Sequence, residues 1–493
     1  MRKLLVFFTG MMLFLFLQQA QAQFKRHYWL NNQSVNYTLS YPTTNGEWML
    51  AAAKQEPNSQ FKNTIAVFRL DNNYNIIDNR VIGHFGVGGE FDRNVSFEIH
   101  CIVQSFNPMD YYVICGSIKR TPTAQTEGFI VVLDAGLNPQ PMRYYPDVRN
   151  FYSVYAQDGY FYACGQMQNS RGVVLQDQVA NLVPNAPVWV TLPANQRWDY
   201  QKIRVTNVPG SGEIKVSGQG FYNPDIPLEI GYTIFNVGAN GFFPTPNPAG
   251  QFSSWKWQLP VNVINSKAVI ANHPGGAGGQ GVVMSVSDAS AIYTYMFFNQ
   301  PTPTAAFRIP CYGGTLEDVE CAGPGAGPYL PSQIAWVGNI RQSDENPQRT
   351  AYYLHTNLSP FFPISPAMFT YFYPFPLVDN AYYSLHKLYF NRNQWPAPFD
   401  LEFHCGGYYM HNDSNKATFV VTPDLLNEDE VPCIRREKVD VRDLPSPHLR
   451  YLDLMPMEIR VMFWESISRD YHFYDMDCYE KTEKDCGNQI INK

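Results

Sequence analysis

Along the N-terminal part of the chain, apolar and polar residues alternate with a period of two. Val35, Tyr37 and Leu39 alternate with Asn36, Thr38 and Ser40, the pattern of a strand with one buried face. Asn45-Gly46 follows, a dipeptide that accepts the positive φ angles of a tight hairpin turn, and then comes the nearly continuous apolar run "WMLAAA". The same succession returns in "FEIHCIVQSFNPMDYYVICGSI", "FYSVYAQDGYFYACGQM" and "YQKIRVTNVPGSGEIKVSGQG", with Asp158-Gly159 as the turn of the third copy. Each copy is a β-type segment, a turn and an apolar segment that ends in small residues. A unit of this kind cannot bury its own hydrophobic face, so the units must stack or close into a ring.

A further apolar segment ending in Asp or Asn completes the count. It reads "AVFRLDNNYN", "IVVLDAGLN", "GVVLQDQVAN", "YTIFNVGAN", "TYMFFNQ", "YYLHTNL" and "TFVVTPDL". The first two share L-D-x-x-x-N through Leu70, Asp71, Asn75 and Leu133, Asp134, Asn138. Taking Asp71, Asp134, Asp177, Asn236, Asn299, Asn357 and Pro423 as markers, the spacings are 63, 43, 59, 63, 58 and 66, with a mean of about 59. Seven such segments are visible, while "LRYLDLMPMEIRVMFWESI" reads as an eighth copy of the preceding hairpin. A fourth strand often carries Trp, as Trp189 in "APVWVTLP" and Trp255 and Trp257 in "SSWKWQLP".

"QDGYFYACGQ", "IVVLDAGLN" and the later Trp strand resemble, over roughly residues 110–190, the units of secreted bacterial β-propeller repeat proteins. That resemblance implies a propeller and an exported, often surface-associated protein that binds or displays. It carries over no catalytic residue. The expectation is therefore an all-β chain, a β-propeller with seven or eight four-stranded blades, its ring closed by N- and C-terminal strands. Residues 23–493 are expected to form this single domain, with a short charged C-terminal tail from about 468.

The start of the chain is of another kind. Arg2 and Lys3 precede an apolar run from Leu4 to Leu17, and Ala20-Gln21-Ala22 is a small-x-small cleavage site, so residues 1–22 read as a signal peptide. The run is short for a membrane span, and no other stretch approaches that length without charges, so no transmembrane segment is expected in the mature chain. Of the 36 basic residues the leader takes two, leaving 34 against 43 acidic ones and a net charge of −9. A surface of that sign repels phosphate backbones, and nucleic acid is not an expected partner. The chain is expected in the secreted fraction or the cell envelope.

Nine cysteines in an oxidising compartment cannot all pair. Cys311 with Cys321 and Cys478 with Cys486 each bracket a short loop and are the disulfide candidates. Cys101 and Cys115 fall on adjacent antiparallel strands and could bridge them. Cys115 and Cys164 occupy the same place in neighbouring units, each before a Gly, which suits a small residue in a crowded core.

Little chemistry stands out. Asp71, Asp134 and Asp177 could line an axial channel, but read better as turn residues that accept backbone hydrogen bonds. His404, Cys405, His411 and Asp413 are the densest group of potential metal ligands, yet adjacent strand residues point to opposite faces, and no metal site is assigned. Asp475, Asp477 and Glu480 are too few for a dedicated calcium loop. The Gly-rich loops "HPGGAGGQG" and "GPGAGPYLP" lack the Gly-Lys-Ser/Thr of a phosphate cradle. No cofactor and no catalytic residue is assigned. The stretch from Phe361 to Tyr383 has the most unusual composition, and Phe369, Tyr371, Phe372, Tyr373 and Phe375 are the candidate contact surface for a protein or glycan partner at the cell surface. The alternative is that "MFTYFYP" is an outer strand, falling where "PMRYYP" does in the second unit. The function expected is non-catalytic binding or scaffolding. The alternative is a polysaccharide-active hydrolase or lyase working on the axial face of the propeller.

Overall fold

The computed structural model describes residues 47–56, 58–71, 76–84, 90–105, 111–157 and 159–179, together with Ser290, Pro303 and the strands named below outside that range. Strand β1 (Lys25–Trp29) stands apart from its neighbours in sequence. The first sheet is built from β2 (Val35–Pro42), β3 (Trp48–Lys54), β4 (Thr64–Leu70) and β5 (Ile76–Gly83). The second has β6 (Ser96–Gln104), β7 (Tyr112–Lys119), β8 (Glu127–Leu133) and β9 (Met142–Tyr145). The third has β10 (Val148–Gln157), β11 (Tyr160–Met167), β12 (Gly172–Gln178) and β13 (Ala186–Leu192), and the fourth β14 (Arg197–Val208), β15 (Ser211–Asn223), β16 (Ile226–Val237) and β17 (Phe252–Gln258). Next come β18 (Val269–Asn272), β19 (Gly281–Ser287), β20 (Ala291–Phe298) and β21 (Ala305–Pro310) of the fifth sheet. The sixth holds β22 (Thr315–Pro324), β23 (Pro331–Arg341), β24 (Arg349–Asn357) and β25 (Phe369–Pro374). The seventh begins with β26 (Tyr382–Phe390), β27 (Phe403–His411) and β28 (Ser414–Thr422), and β1 supplies its fourth strand.

All seven third-strand segments read from the sequence are third strands of sheets, and the pairings throughout are antiparallel. Middle strands such as β3 and β8 are buried at every residue, which is why they read as continuous apolar runs rather than alternating ones. The first strand of each sheet packs on its predecessor: β6 on β2, β3 and β4; β10 on β6, β7 and β8; β14 on β10, β11 and β12; β18 on β14 and β15; β22 on β18 and β19; β26 on β22, β23 and β24. Strand β2 in turn packs on β26, β27 and β28. The core therefore lies between facing sheets, as where Phe97, Ile114 and Phe129 of the second meet Ala51, Ile65 and Val67 of the first. Sheets that follow one another round a cycle in this way make a β-propeller.

Two expectations are corrected. The sheets have five strands, not four. The fifth strands come from one C-terminal stretch: β29 (Ile434–Lys438), β30 (Arg442–Asp443), β31 (Arg450–Leu452), β32 (Glu458–Trp464), β33 (Ile467–Arg469), β34 (His472–Tyr474) and β35 (Tyr479–Lys481). They pair in turn with β25, β21, β17, β13, β9, β5 and β1. The segment read as an eighth hairpin is thus split between two sheets, β31 on the fourth and β32 on the third.

Candidate axial site

The first strand of six sheets carries an extra residue opposite its partner, and β10 carries a second at Arg149. The register steps over Tyr37, His100, Tyr152, Gln201, Glu317 and His386. A bulge of this kind kinks the strand and re-aims a side chain. It also explains a glycine. Gly116, Gly165, Gly218 and Gly338 of the second strands lie opposite the residue before the bulge. A Cβ at these four positions would overlap the carbonyl oxygens of Glu98, Asn150, Asp199 and Thr315 respectively.

Bulged residues of successive sheets meet. The His100 and Tyr152 rings lie 5.4 Å apart at 55°. His386 Nδ1 is 3.5 Å from Glu317 Oε2, with both side chains about one-seventh exposed. Beside the first pair, Glu98 Oε2 stands 3.9 Å from His100 Nε2 and accepts from Ser117 Oγ at 3.3 Å. Burial pushes the Tyr152 phenol well above its ordinary pKa; Asp199 adds to the shift, while Arg197 opposes it. Asp199 is itself buried, with Arg197 Nη2 3.0 Å from Oδ2 and Gln166 Nε2 donating to Oδ1. Burial raises this carboxyl too, against the pull of Arg197.

A second polar group ties non-adjacent sheets. Lys202 and Asp318 each follow a bulge, and Lys202 Nζ reaches from the fourth sheet to Asp318 Oδ1 at 2.5 Å and Glu320 Oε1 at 3.2 Å in the sixth. It also donates to the Val319 carbonyl at 2.8 Å, while Asp318 Oδ2 accepts from the Leu388 amide of the seventh sheet at 3.2 Å. The innermost strands are thereby joined across the axis by buried charges with defined partners. The arrangement offers hydrogen-bond donors and acceptors of both signs beside an aromatic ring.

The sequence candidates fall elsewhere. Phe369, Tyr371, Phe372 and Tyr373 lie on β25, between β24 and β29 and at the opposite side of the sheet from the innermost β22, while Phe375 is outside the described residues. The equivalence of β25 with β9 holds, both being fourth strands. His404, Cys405 and His411 lie on β27, and Asp413 is outside the described residues. Cys321 is on β22; Cys311, Cys478, Cys486, Asp475 and Asp477 are outside the described residues, and Glu480 is on β35. Cys101 and Cys115 do face each other across β6 and β7 but form no disulfide, and each Sγ contacts a carbonyl of the third sheet instead.

The three aspartates part company. Asp134 is a turn residue, its Oδ1 accepting from the Gly136 and Asn138 amides at 2.9 and 2.8 Å and its Oδ2 from Asn138 Nδ2 at 3.1 Å. This accounts for L-D-x-x-x-N, with Leu137 held at φ 59° and its side chain buried. Asp177 corrects the reading: it is a fully buried partner of Arg143 at 2.9 Å and accepts from the Tyr145 hydroxyl at 3.3 Å. What the sequence did not single out is the set of bulged residues. Their signal is a polar residue that breaks the alternation in "EIHCIV" and "NFYSVY", followed one strand later by a small residue and Gly.

No protein-family model and no curated protein matches the chain. Among solved structures it is similar to Drosophila plexin A in complex with semaphorin 1b, at 8% identity and TM-score 0.38, over 80% of this chain and 86% of that one. It is also similar to a Penicillium chrysogenum α-L-arabinanase complexed with arabinobiose, at 13% identity and TM-score 0.34, over 66% and 97%. A Fusarium graminearum α-L-arabinofuranosidase matches at 12% identity and TM-score 0.32, over 66% and 94%.

Proposed function

We propose that the protein is an exported, seven-bladed propeller of the cell surface or envelope that binds a glycan chain through its axial cluster. The observation that carries the reading is the meeting of bulged side chains from successive sheets, His100 with Tyr152 and Glu317 with His386. A sugar ring presents hydroxyls to carboxylate, imidazole and guanidinium groups and a C–H face to an aromatic ring. Glu98, His100, Arg197 and Tyr152 supply these chemistries, Glu98 and Tyr152 each beside His100 and Arg197 within electrostatic reach of Tyr152. The leader of residues 1–22 supports export, and the aromatic stretch 361–383 is an accessory contact surface in the same proposal.

A second reading, a polysaccharide hydrolase acting on the same axial face, has one observation in its favour. Glycoside cleavage needs a carboxylic acid whose pKa is raised and a second carboxylate. Asp199 has its carboxyl raised by burial, and Glu98 and Glu317 stand on other innermost strands. The Arg197 contact works against proton donation by Asp199.

Retention of the secreted protein on a panel of immobilised polysaccharides, with reducing-end release measured in parallel, tests both. Retention that His100→Ala and Glu317→Gln each reduce, without product release, supports the binding reading. Release that disappears in Asp199→Asn moves the protein to the hydrolase class. Retention unaffected by either substitution removes the axial cluster from consideration.

A further inference from the structure

The C-terminal stretch Ile434–Lys481 visits the outer edge of every sheet once. It does so in the reverse of the order in which the chain built them, from the sixth sheet through the fifth, fourth, third, second and first to the seventh. Leaving from β28, it makes a full circuit and returns to the sheet it left. Its strands begin at residues 434, 442, 450, 458, 467, 472 and 479, so about eight residues separate neighbouring contacts. Eight extended residues reach about 26–29 Å, which bounds the distance between adjacent sheet edges.

We propose that this stretch is a detachable clasp that closes the ring last and locks the N-terminal strand into it. The decisive juxtaposition is at β1. His27 pairs with Thr418 on one side and Lys481 on the other, and Tyr28 pairs with Ala417 and Glu480. Both edges of β1, the first of the described strands, are therefore supplied by β28 and β35, the latter the last of the described strands. The clasp strands are short, two or three residues in five of the seven, whereas the strands they cover run from four to eight residues. A pairing of two or three residues is weak alone, so the clasp holds through its circuit and not through any single contact. Without it the outer strands β5, β9, β13, β17, β21, β25 and β1 are open edges, templates for pairing with other chains. The sheets thus keep open edges until Ile434–Lys481 has been added, and β1 and β35 are joined in one sheet.

The test uses the full chain with a protease site introduced between Thr422 and Ile434, cut after folding. The clasp should stay with the ring in gel filtration and leave it in less urea than unfolds the ring. A chain ending at residue 475 lacks only β35, and its β1 amides should exchange roughly ten-fold faster or more while those of β3 and β7 are unchanged. A chain ending at residue 433 should form oligomers through its open edges. Three results overturn the proposal: a cut clasp that leaves only at the urea concentration that unfolds the ring, release of the cut clasp without denaturant from a ring that stays monomeric, or unchanged exchange in β1 when β35 is absent. Should the shorter chains not fold, the cut full-length protein still decides.

Discussion

The Cys115 thiol of the second sheet donates to the backbone carbonyl of Phe151, 3.7 Å away on the innermost strand of the third. Cys164 repeats the contact one sheet further on, to Tyr200 at 3.7 Å, and both pairs are 36 residues apart. Phe151 and Tyr200 each precede a bulge, where the ladder is interrupted and a carbonyl is left for another donor. The repeat thus has a fixed chemistry: a bulge, a glycine that lets it approach, and a small side chain beside that glycine that ties one sheet to the next.

Cys101, Cys115 and Cys164 are buried thiols outside any disulfide, so a water-soluble thiol reagent should leave all three unmodified in the native protein and label them on unfolding. Cys115→Ala should cost about 1–2 kcal/mol, through the lost packing and the orphaned carbonyl. Labelling kinetics and urea titration check both, and rapid labelling of Cys164 in the folded state contradicts the packing described.

Two glycine substitutions separate steric overlap from backbone conformation. Gly165→Ala drives a Cβ into the Asn150 carbonyl, which the bulge fixes in place, and should destabilise by more than about 3 kcal/mol. Gly159 has φ +80° with nothing within 4 Å of an added Cβ, so Gly159→Ala should cost only about 1 kcal/mol, from the strained φ. Equal costs in equilibrium unfolding argue against the bulge as the reason for the glycine.

Arg143 and Asp177 are both fully buried, with Arg143 also donating to the Gln178 carbonyl at 2.8 Å and lying 5.2 Å from the Phe161 ring centroid. Removing one charge strands the other, so Arg143→Met should cost about 3–5 kcal/mol. The double variant Arg143→Met with Asp177→Leu should recover much of that loss, because an apolar pair needs no compensation. A double-mutant cycle in urea measures the coupling, and simple additivity of the two losses is the result that excludes it.

The repeat was legible because middle strands such as β3, β7, β8 and β12 are buried on both faces and each turn needs particular residues. Seven third strands follow from "AVFRL" to "TFVVT", and the Asp134 turn follows from its spacing to Asn138. The axial cluster was not legible, since a bulge depends on which carbonyl a neighbouring glycine admits, a relation between strands. Asp177 looked like Asp134 in the sequence, and only the facing Arg143 of another sheet distinguishes them. The clasp was hidden for a different reason. Five of its seven pieces have two or three residues, too short for a period to show, and β31 with the longer β32 happened to read as a hairpin. An apolar residue followed by Arg at Ile434-Arg435, Val441-Arg442, Leu449-Arg450 and Ile459-Arg460 is the trace they leave in the sequence.

Asp199 makes stability depend on pH in a direction opposite to that of an exposed ion-paired carboxylate. It is 2% exposed, and burial raises its carboxyl above the ordinary value of 3.8 although Arg197 stands 3.0 Å away. A carboxyl that binds its proton more firmly in the folded chain contributes stability that is whole below 3.8 and is lost as the pH rises through the raised value. Asn at this position keeps an acceptor for Gln166 but does not titrate. The stability of the wild-type protein minus that of Asp199→Asn should therefore fall as the pH is raised from below 3.8 through the raised value, then level off once the group is ionised in both states. Urea titrations of the two proteins across that range measure the difference. A difference that instead grows with pH means that the Arg197 contact outweighs burial, and Asp199 is then a permanently ionised anchor with no proton to give at the axial site.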